Sequence, residues 1–383
     1  MPNTKIKPVF LCVANWDSNV GYAWWLMESF WLQIHARFQD NYKVAIAYPS
    51  ISRLPAHIEA SSISKEHFNF RVGSLKSLLD HCRFIRTRNI QVIYFSDRPT
   101  SHWSYVLFRL CGVKKIIVHD HTPGTRTRPQ GLRKLLKTLR ARIPYFSADT
   151  AIGATEYVKQ RLIDINCFPA TRCFSAPNGL PPLTNKIEPI DLHTQLTRHK
   201  DTLFIVSTGR ATLYKGVDFA LDVIAQLVQR EQIANIHYLY CGDGPDLQFL
   251  QTKATTLGIA QQVTFLGRVN NIDSILAGCD IAFHPSRGEV GYSLSILEYM
   301  RAGLPVVISD NPSVCEAITH HHDGLVYEEG DITSAVHALK ELIADNNQRK
   351  LLGQQGKETV QNKYSLDNTH QALIRALEST MGK

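Results

Sequence analysis

The sequence predicts an α/β protein with two doubly wound, parallel-sheet domains, and three observations support this prediction. The length of 383 residues corresponds to two or three domains of ~150 residues. Short apolar runs alternate with helical patterns along the chain, as expected when crossover helices connect parallel strands. Pro181, Pro182 and a polar stretch interrupt this alternation near residue 185. We therefore expect one domain on each side of this interruption.

The strand candidates are short apolar runs in both halves of the chain. In the first half they lie at 8–14, 43–48, 91–96, 115–119, 149–153 and 172–176. In the second half they lie at 202–208, 236–241, 263–266, 280–284, 304–308 and 324–327. Helical patterns between them lie at 21–38, 155–164, 216–230, 245–257, 293–302 and 331–345. In sheets of this kind, ligands bind beyond the carboxyl ends of the strands.

Composition excludes several classes of protein. Hydrophobic residues make up 44% and charged residues 20%, so collagen-like, low-complexity and wholly disordered chains are excluded. The apolar run at 9–14 has no cleavage site after it and is interpreted as a core strand, not a signal peptide. No run approaches the ~20 apolar residues of a membrane span. The eight cysteines form no CxxC pair, which favours free thiols. We expect a cytoplasmic protein, or one peripheral on the cytoplasmic membrane face.

The net charge of +8 is unevenly distributed. Residues 1–185 contain 25 Lys and Arg against 11 Asp and Glu, whereas residues 186–383 contain 17 against 23. Seven of the basic residues lie within 121–148, which contains no acidic residue. This asymmetry indicates that the first half faces an anionic partner.

The basic stretch has the pattern of an amphipathic helix. One stripe consists of Leu132, Leu135, Leu136, Leu139 and Ile143. The other face carries Arg133, Lys134, Lys137, Arg140 and Arg142. Such a helix can bind an anionic membrane, where each cation contributes about 1 kcal/mol. The pattern equally fits a helix whose stripe packs on the sheet and whose cations are solvated. Nucleic acid is disfavoured, because no aromatic platform accompanies the charges.

The second half carries glycine-rich motifs at predicted strand ends. The segment S-T-G-R-A-T-L-Y-K-G at 207–216 places Arg210 and Lys215 between a strand and a helix. Two cations in such a loop suit a diphosphate whose charge grows as it leaves. Their spacing alone also fits ordinary surface residues. Further along, the turn G-D-G-P begins at Gly242, and Arg268 follows the strand V-T-F-L-G. The turn also fits ordinary strand-to-helix turn chemistry.

The densest motif spans 285–306. Gly288 and Gly291 allow a close backbone approach before a helix, whose N-terminus attracts phosphate or sugar oxygens. Glu298 lies about one turn into this helix and can accept hydrogen bonds from sugar hydroxyls. Two alternatives remain open at this point. Ser295 and Glu298 also fit a capping box, and Glu289 also fits a solvated loop acid.

Together these motifs resemble glycosyltransferase family 4 of the group 1 glycosyltransferases, retaining enzymes with the GT-B fold. The resemblance covers about 200–330 and comprises, in order, G-R-x4-K-G, G-D-G-P, F-L-G and G-x-S-L-x-x-L-E-x-M-x-A-G-x-P-V. It implies two Rossmann-like domains facing across a cleft. Residues 1–185 would form the acceptor-side domain and 186–365 the nucleotide-sugar domain. Residues 366–383 would form a helix that crosses back to the first domain.

The resemblance also implies roles for single residues. Arg210 and Lys215 would bind the donor diphosphate, and Glu298 the ribose. The remaining donor-side positions would be Gly21, Gly242, Arg268, Glu289 and the backbone of Gly291, Tyr292 and Ser293. The reaction would need no metal and no cofactor beyond the nucleotide-sugar donor.

One position departs from the family pattern. The family usually has two glutamates separated by seven residues, but Val290 occupies the first position and Glu289 lies one place earlier. Either the loop shifts so that Glu289 reaches the sugar, or this contact is lost.

In the first half, His119 and His121 project to the same face if their strand continues. Related enzymes often carry a histidine at this strand end, so the resemblance implies that His119 lies on the acceptor side. A structural hydrogen bond is the alternative. A metal site would need a third ligand, which the sequence does not identify.

The leading hypothesis is therefore a retaining, hexosyltransferase-type enzyme that moves a sugar from a nucleotide diphosphate to an acceptor hydroxyl. Its acceptor would be a lipid-linked or membrane-proximal glycan of envelope polysaccharide synthesis. Two alternatives stay open: a sugar-nucleotide epimerase with the same fold, and a non-catalytic partner subunit.

Overall fold

The computed structural model describes residues 7–20, 24–183 and 186–382. Gly21, one of the predicted donor-side residues, lies outside these ranges. The chain forms two compact units. Unit 1 comprises Met1–Thr122, Arg126–Pro177 and Thr369–Lys383, and unit 2 comprises Pro123–Thr125 and Asn178–Asn368.

The described residues form thirteen strands and fourteen α-helices. The strands are β1 (Val9–Val13), β2 (Lys43–Tyr48), β3 (Ser64–His67), β4 (Ile90–Ser96), β5 (Lys115–Asp120), β6 (Thr150–Gly153), β7 (Cys173–Ser175), β8 (Leu203–Thr208), β9 (Ile236–Cys241), β10 (Val263–Gly267), β11 (Ile281–His284), β12 (Val306–Ser309) and β13 (Gly324–Tyr327). The helices are α1 (Trp24–Phe38), α2 (Ala56–Glu59), α3 (Leu75–Thr87), α4 (Ser104–Leu110), α5 (Gly131–Arg142), α6 (Glu156–Asp164), α7 (Leu192–Gln195), α8 (Val217–Gln229), α9 (Leu247–Thr256), α10 (Ile272–Leu276), α11 (Leu294–Ala302), α12 (Ile332–Ala344), α13 (Asn346–Lys363) and α14 (Leu366–Met381).

Unit 1 contains a seven-stranded parallel sheet in the order β3-β2-β1-β4-β5-β6-β7. Its central strands are nearly continuous apolar runs, because helices cover both faces of a parallel sheet. The six strands predicted in this half are all present. The additional strand, β3, has the polar sequence S-K-E-H and pairs only with β2 at the sheet edge. An edge strand needs no apolar run, which explains why the sequence did not reveal it.

Unit 2 contains a six-stranded parallel sheet in the order β10-β9-β8-β11-β12-β13. Its core is formed by apolar side chains of the strands together with α8, α9 and α12. The sheet order steps outward from β8 to β9 and β10 on one side and to β11, β12 and β13 on the other. This reversal of direction creates a switch point between β8 and β11.

Helix α14 belongs to unit 1 although unit 2 precedes it in sequence. The Thr380 hydroxyl hydrogen-bonds with that of Thr150 on β6 at 2.6 Å. Glu378 accepts a hydrogen bond from Arg37 at 2.6 Å near the end of α1. In the described part of the chain, no helix is both long and apolar enough to cross a bilayer.

Candidate functional site

The candidate site lies in unit 2 at the carboxyl ends of β8 and β11. These two strands meet at the switch point of the sheet, where crevices bind ligands. The loop after β8 carries Arg210 and Lys215, and the loop after β11 carries Glu289. The fold therefore brings Lys215 and Glu289 together across 74 positions of sequence.

The loops after β8 and β11 approach each other at backbone distance. Lys215 ends a short 3-10 turn, and Gly216 follows with a φ of 69° before α8 begins. A side chain at Gly216 would collide with the carbonyl oxygen of Pro285. Glycine is needed here both for the left-handed backbone and for the close contact. This contact holds Lys215 beside the loop that carries Glu289.

The glycines of the G-D-G-P turn support the loop that carries Arg210. A side chain at Gly242 would collide with the carbonyl oxygen of Gly209, and one at Gly244 with that of Ala211. These contacts are with backbone, so they support the structural interpretation of the turn. Direct contact of Gly242 with a donor stays a prediction.

Two of the predicted cations lie on the surface of unit 2. The Arg210 side chain is exposed, and among the described residues it has no ion-pair partner. An unpaired guanidinium is well suited to bind a phosphate with two parallel hydrogen bonds. Arg268 is also exposed and directly follows β10, an edge strand. Their contacts with the diphosphate and the base stay predictions.

Lys215, Glu289 and His284 form a compact charged cluster. The Lys215 ammonium lies 2.5 Å from Oε1 of Glu289, and Nε2 of His284 lies 3.2 Å from the same oxygen. Glu289 is only 7% exposed. Burial opposes its ionisation, but Lys215 and His284 hold the pKa of the Glu289 carboxyl at about 2. The interpretation of Glu289 as a solvated loop acid is therefore wrong.

This cluster bears on the departure from the family pattern. The Glu289 carboxylate is engaged through Oε1 by Lys215 and His284, and its contact with a donor sugar stays a prediction. Sequence reasoning missed His284, because a histidine that ends an apolar strand carries no motif of its own. The signal available was its position, since strand ends at a switch point face the ligand crevice.

The N-terminus of α11 lies beside the cluster. Its N-cap residue is Ser293, and no side chain among the described residues caps it. Ser295 is the second residue of the helix, so the predicted capping box of Ser295 and Glu298 is wrong. The Ser293 hydroxyl instead lies 3.4 Å from Nε2 of His284. A helix N-terminus without a side-chain cap attracts anionic groups.

The backbone before α11 is partly engaged within the protein. The N–H of Gly291 donates a hydrogen bond to the carbonyl of Ser313 at 2.8 Å. The Tyr292 ring is buried, and its hydroxyl donates to the carbonyl of Asn178 at 2.8 Å. The Gly291 N–H is therefore already used, whereas donor contacts through the backbone of Tyr292 and Ser293 stay predictions.

Glu298 contrasts with Glu289. Its carboxyl is half-buried on α11 and makes no hydrogen bond or ion pair with the described residues. Burial raises its pKa to about 7, with Arg301 opposing this shift and Asp273 adding to it. A partly buried carboxyl without a protein partner is suited to accept hydrogen bonds from ligand hydroxyls.

In unit 1, His119 lies in the core at the end of β5. It is 0% exposed, its Nδ1 lies 2.5 Å from the Tyr94 hydroxyl, and its ring stacks on Phe30. Burial and the neighbouring His121 hold the pKa of His119 well below its usual value, so the ring is neutral. The ring makes the structural hydrogen bond that was the alternative, and the position of His119 on the acceptor side stays a prediction.

His119 and His121 do lie on the same side, with ring centroids 4.1 Å apart. Within the ranges that the structure describes, no three His, Cys, Asp or Glu residues are grouped to hold a metal ion.

The predicted basic helix is present as α5, but its apolar stripe is not packed. Of its twelve described residues only Ala141 is buried. The side chains of the stripe are between 46% and 70% exposed: Leu132, Leu135, Leu136, Leu139 and Ile143. The alternative of a helix whose stripe faces the sheet is therefore wrong.

Helix α5 carries five cations, and the four that were predicted to bind a membrane differ in their contacts. Arg133 and Lys134 are exposed. Lys137 donates a hydrogen bond to the Ile165 carbonyl at 3.0 Å, and Arg140 donates to the Ser101 carbonyl at 2.8 Å. Of the four predicted membrane-binding cations, Lys137 and Arg140 thus face the body of unit 1, which the helical pattern alone did not show.

Residues 190–359 match the family model described as glycosyl transferases group 1. The matched segment contains the cluster at β8 and β11, including Arg210, Lys215, Glu289 and Glu298. Over this segment the resemblance to group 1 glycosyltransferases that the motifs predicted is confirmed, and the finer placement in family 4 stays a prediction.

Three curated relatives support this family at low identity. LpsE of Rhizobium meliloti, a lipopolysaccharide core biosynthesis glycosyltransferase, is 26% identical over 62% of this chain and 67% of its own length. A GDP-mannose-dependent phosphatidylinositol monomannoside mannosyltransferase of Mycobacterium tuberculosis is 23% identical over 74% of this chain and 75% of its own. An uncharacterised glycosyltransferase of Methanocaldococcus jannaschii is 24% identical, and the match spans 60% of each chain.

The fold is shared with a solved structure. HepE of Anabaena, in complex with UDP and glucose, superposes with a TM-score of 0.73 at 18% identity. The superposition covers 97% of this chain and 100% of HepE. At this identity the likeness shows the fold alone, and the prediction of two Rossmann-like, GT-B-type domains is confirmed.

Proposed function

We propose that this protein is a retaining glycosyltransferase that moves a sugar from a nucleotide diphosphate to an acceptor hydroxyl at a membrane surface. The observation that carries the proposal is the position of Lys215 beside the switch point of unit 2, where it pairs with Glu289 next to His284 and the uncapped N-terminus of α11. Arg210 lies exposed in the same loop as Lys215. These groups supply positive charge where a diphosphate leaving group would develop negative charge.

Four residues of unit 2 act on the donor in this proposal. Arg210 and Lys215 stabilise the departing diphosphate, and a diphosphate oxygen takes the acceptor proton on the same face of the sugar. Glu298 accepts hydrogen bonds from the ribose hydroxyls, and its lack of a protein partner supports this role. Glu289 positions Lys215 through their 2.5 Å ion pair. The proposed chemistry uses no metal ion.

The acceptor side of the proposal rests on α5. Its stripe of exposed leucines would enter the interface of an anionic membrane, with Arg133 and Lys134 at the level of the headgroups. We therefore propose a protein peripheral on the cytoplasmic membrane face, acting on a lipid-linked or membrane-proximal glycan. Relatives named for lipopolysaccharide core synthesis and for a phosphatidylinositol mannoside support this acceptor class.

A screen of nucleotide sugars by thermal shift tests the donor half of the proposal. A ligand that binds the native state raises its melting temperature, by an amount equivalent to about 2.7 kcal/mol at 100 times the dissociation constant. We expect at least one nucleotide sugar to raise the melting temperature of the wild type but not that of the Arg210→Ala, Lys215→Ala double variant.

The matched control is the Lys200→Ala, Arg230→Ala double variant, which removes two exposed cations of unit 2 outside the loops after β8 and β11. This control should keep the full thermal shift. If no nucleotide sugar stabilises the wild type, a non-catalytic subunit is the better account. If the protein converts a donor to a new nucleotide sugar without any acceptor, an epimerase is the better account.

A further inference from the structure

Unit 1 contains an open cavity of about 360 Å³ that none of the assigned roles explains. It lies between the loop after β4, the loop after β5 and helix α5. Four basic side chains line it: Arg98, Arg126, Lys137 and Arg140. A liquid water occupies roughly 30 Å³, so the space accommodates a phosphate or diphosphate group together with part of an attached molecule.

The four cations are held only by neutral oxygens. Lys137 and Arg140 donate to backbone carbonyls of unit 1, as described above. Arg126 donates to the Thr122 hydroxyl at 2.8 Å, and Arg98 donates to the Phe70 carbonyl. None of the four forms an ion pair with a carboxylate of the described residues, whereas Arg128 and Arg161 nearby do.

Two carboxylates also line the cavity, but they do not neutralise these cations. Asp120 pairs with Arg161 at 3.3 Å and accepts hydrogen bonds from Thr122. Asp97 accepts the backbone N–H of His121 at 2.6 Å. The cavity wall thus carries four basic side chains without a carboxylate partner, a charge balance that favours an anionic ligand.

The position of the cavity beside α5 limits the ligand further. Lys137 and Arg140 line the cavity from the same helix whose leucine stripe is exposed. A helix that lies in a membrane interface with its leucines inserted would hold its opposite face at the level of phosphate headgroups. The cavity would then open where phosphate-linked molecules are anchored.

We propose that this cavity binds the phosphate or diphosphate group of the acceptor. The proposal rests on the glycosyltransferase function proposed above and adds the chemical class of the acceptor, a phosphate-bearing molecule. Planar guanidinium groups of Arg98, Arg126 and Arg140 would each bind phosphate oxygens, and Lys137 would add a compact charge. The same chemistry fits a lipid phosphate and a soluble phosphorylated acceptor.

Titration calorimetry with inorganic pyrophosphate tests the cavity itself. Because pyrophosphate would also occupy the donor site, the experiment uses the full chain with Arg210→Ala and Lys215→Ala as its background. We expect pyrophosphate to bind this background. Adding Lys137→Gln and Arg140→Gln should weaken binding about tenfold or more, because the phosphate would lose two charge-assisted hydrogen bonds.

Helix α5 offers a matched control. Arg133→Gln and Lys134→Gln remove the same charge from the same helix outside the cavity, and should weaken pyrophosphate binding less than about twofold because the exposed charges are screened. If the variant with Lys137→Gln and Arg140→Gln has a lower melting temperature than the background, Arg126→Gln replaces it, because Arg126 lies in a loop. No binding to the background, or equal weakening by the two α5 variants, would overturn the proposal. Neither result depends on a nucleotide sugar, so failure here is distinguishable from failure of the donor screen.

Vesicle binding distinguishes the two sources of phosphate. Vesicles of phosphatidylcholine are compared with vesicles that also contain phosphatidic acid. If Lys137→Gln with Arg140→Gln abolishes the preference for phosphatidic acid, the cavity binds a lipid phosphate. If the preference persists while pyrophosphate binding is lost, the cavity binds a soluble phosphorylated acceptor. If neither pyrophosphate binding nor vesicle preference changes, the cavity does not bind phosphate.

Discussion

Helices α8 and α5 have similar lengths and each has an apolar face, but α8 is far more apolar overall and the two apolar faces have opposite surroundings. Seven residues of α8 are buried in the core of unit 2, including Leu221 and Ile224 at 0% exposure. Among the described residues of α5, Ala141 alone is buried, and Leu135 is 54% exposed. An amphipathic pattern therefore predicts a helix and its apolar face, but not what covers that face.

The two helices also differ in what they position. The buried α8 follows Gly216 and holds Lys215 at a fixed position beside Glu289 and His284. The exposed α5 contributes little to the core. Exposure of its leucines to water costs free energy, which insertion into a membrane would recover. Exposed apolar stripes of this kind mark interaction surfaces.

The largest contrast should appear in stability. We expect Leu221→Ala in α8 to lower the free energy of unfolding by about 2–5 kcal/mol, because it leaves a cavity in the core. Leu135→Ala in α5 should change it by less than about 0.5 kcal/mol, as is usual at exposed positions. Urea denaturation followed by circular dichroism measures both. Similar losses for the two variants would show that the stripe of α5 is covered.

The next effect concerns membranes. Replacing Leu135, Leu136 and Leu139 together by serine should reduce binding to anionic vesicles about 100-fold, if each leucine contributes about 1 kcal/mol at the interface. The melting temperature should not fall. Leu351→Ser is the control, because Leu351 is 58% exposed on α13 of unit 2. Vesicle flotation provides the measurement, and equal binding of the triple variant and the wild type would return α5 to an ordinary surface helix.

The donor side contains one unpaired acid, and it should be visible in the pH dependence of stability. The pKa of Glu298 is raised to about 7 in the folded protein, so its ionisation destabilises the fold as pH rises from about 4.5 to 7. Glu298→Gln removes this loss. The measured quantity is the free energy of unfolding of the wild type minus that of Glu298→Gln. This difference should be about 1–3 kcal/mol lower at pH 8 than at pH 4. A pH-independent difference would mean that Glu298 already has a partner.

The smallest effect separates the cations of α5. Lys134→Gln should weaken vesicle binding about fivefold, or about 1 kcal/mol, and the difference should shrink as salt is added. Lys137→Gln should weaken binding to vesicles of phosphatidylcholine and phosphatidylserine by a smaller factor than Lys134→Gln does, because Lys137 donates to the Ile165 carbonyl. Co-sedimentation at two ionic strengths measures both, and equal losses would contradict the division of α5 into two charged faces.

Most of the fold could be predicted because its signals are local. Apolar runs revealed twelve strands, while the polar edge strand β3 gave no such signal. The glycine-rich motifs likewise placed Arg210 and Lys215 in the loop after β8 and Glu298 on the helix after β11, while the roles of these residues stay predictions.

The unpredicted features all depend on tertiary contacts. The ion pair of Lys215 with Glu289 joins loops 74 positions apart, and the capping box that Ser295 and Glu298 fit in sequence is not formed because Ser293 is the N-cap residue. The burial of His119 depends on packing by Phe30 of α1. The cavity of unit 1 combines segments from three loops and a helix, so no single stretch of sequence contains it.

The rate of sugar transfer from a nucleotide sugar to a membrane-lipid acceptor tests the central claim most directly. The wild type is compared with Lys215→Ala and with the surface control Arg230→Ala. We predict that Lys215→Ala lowers the rate by about 10²–10³-fold, as for loss of a group that stabilises a developing anion, while Arg230→Ala leaves it unchanged. A near-normal rate in Lys215→Ala would contradict the assignment of this cluster to the donor diphosphate.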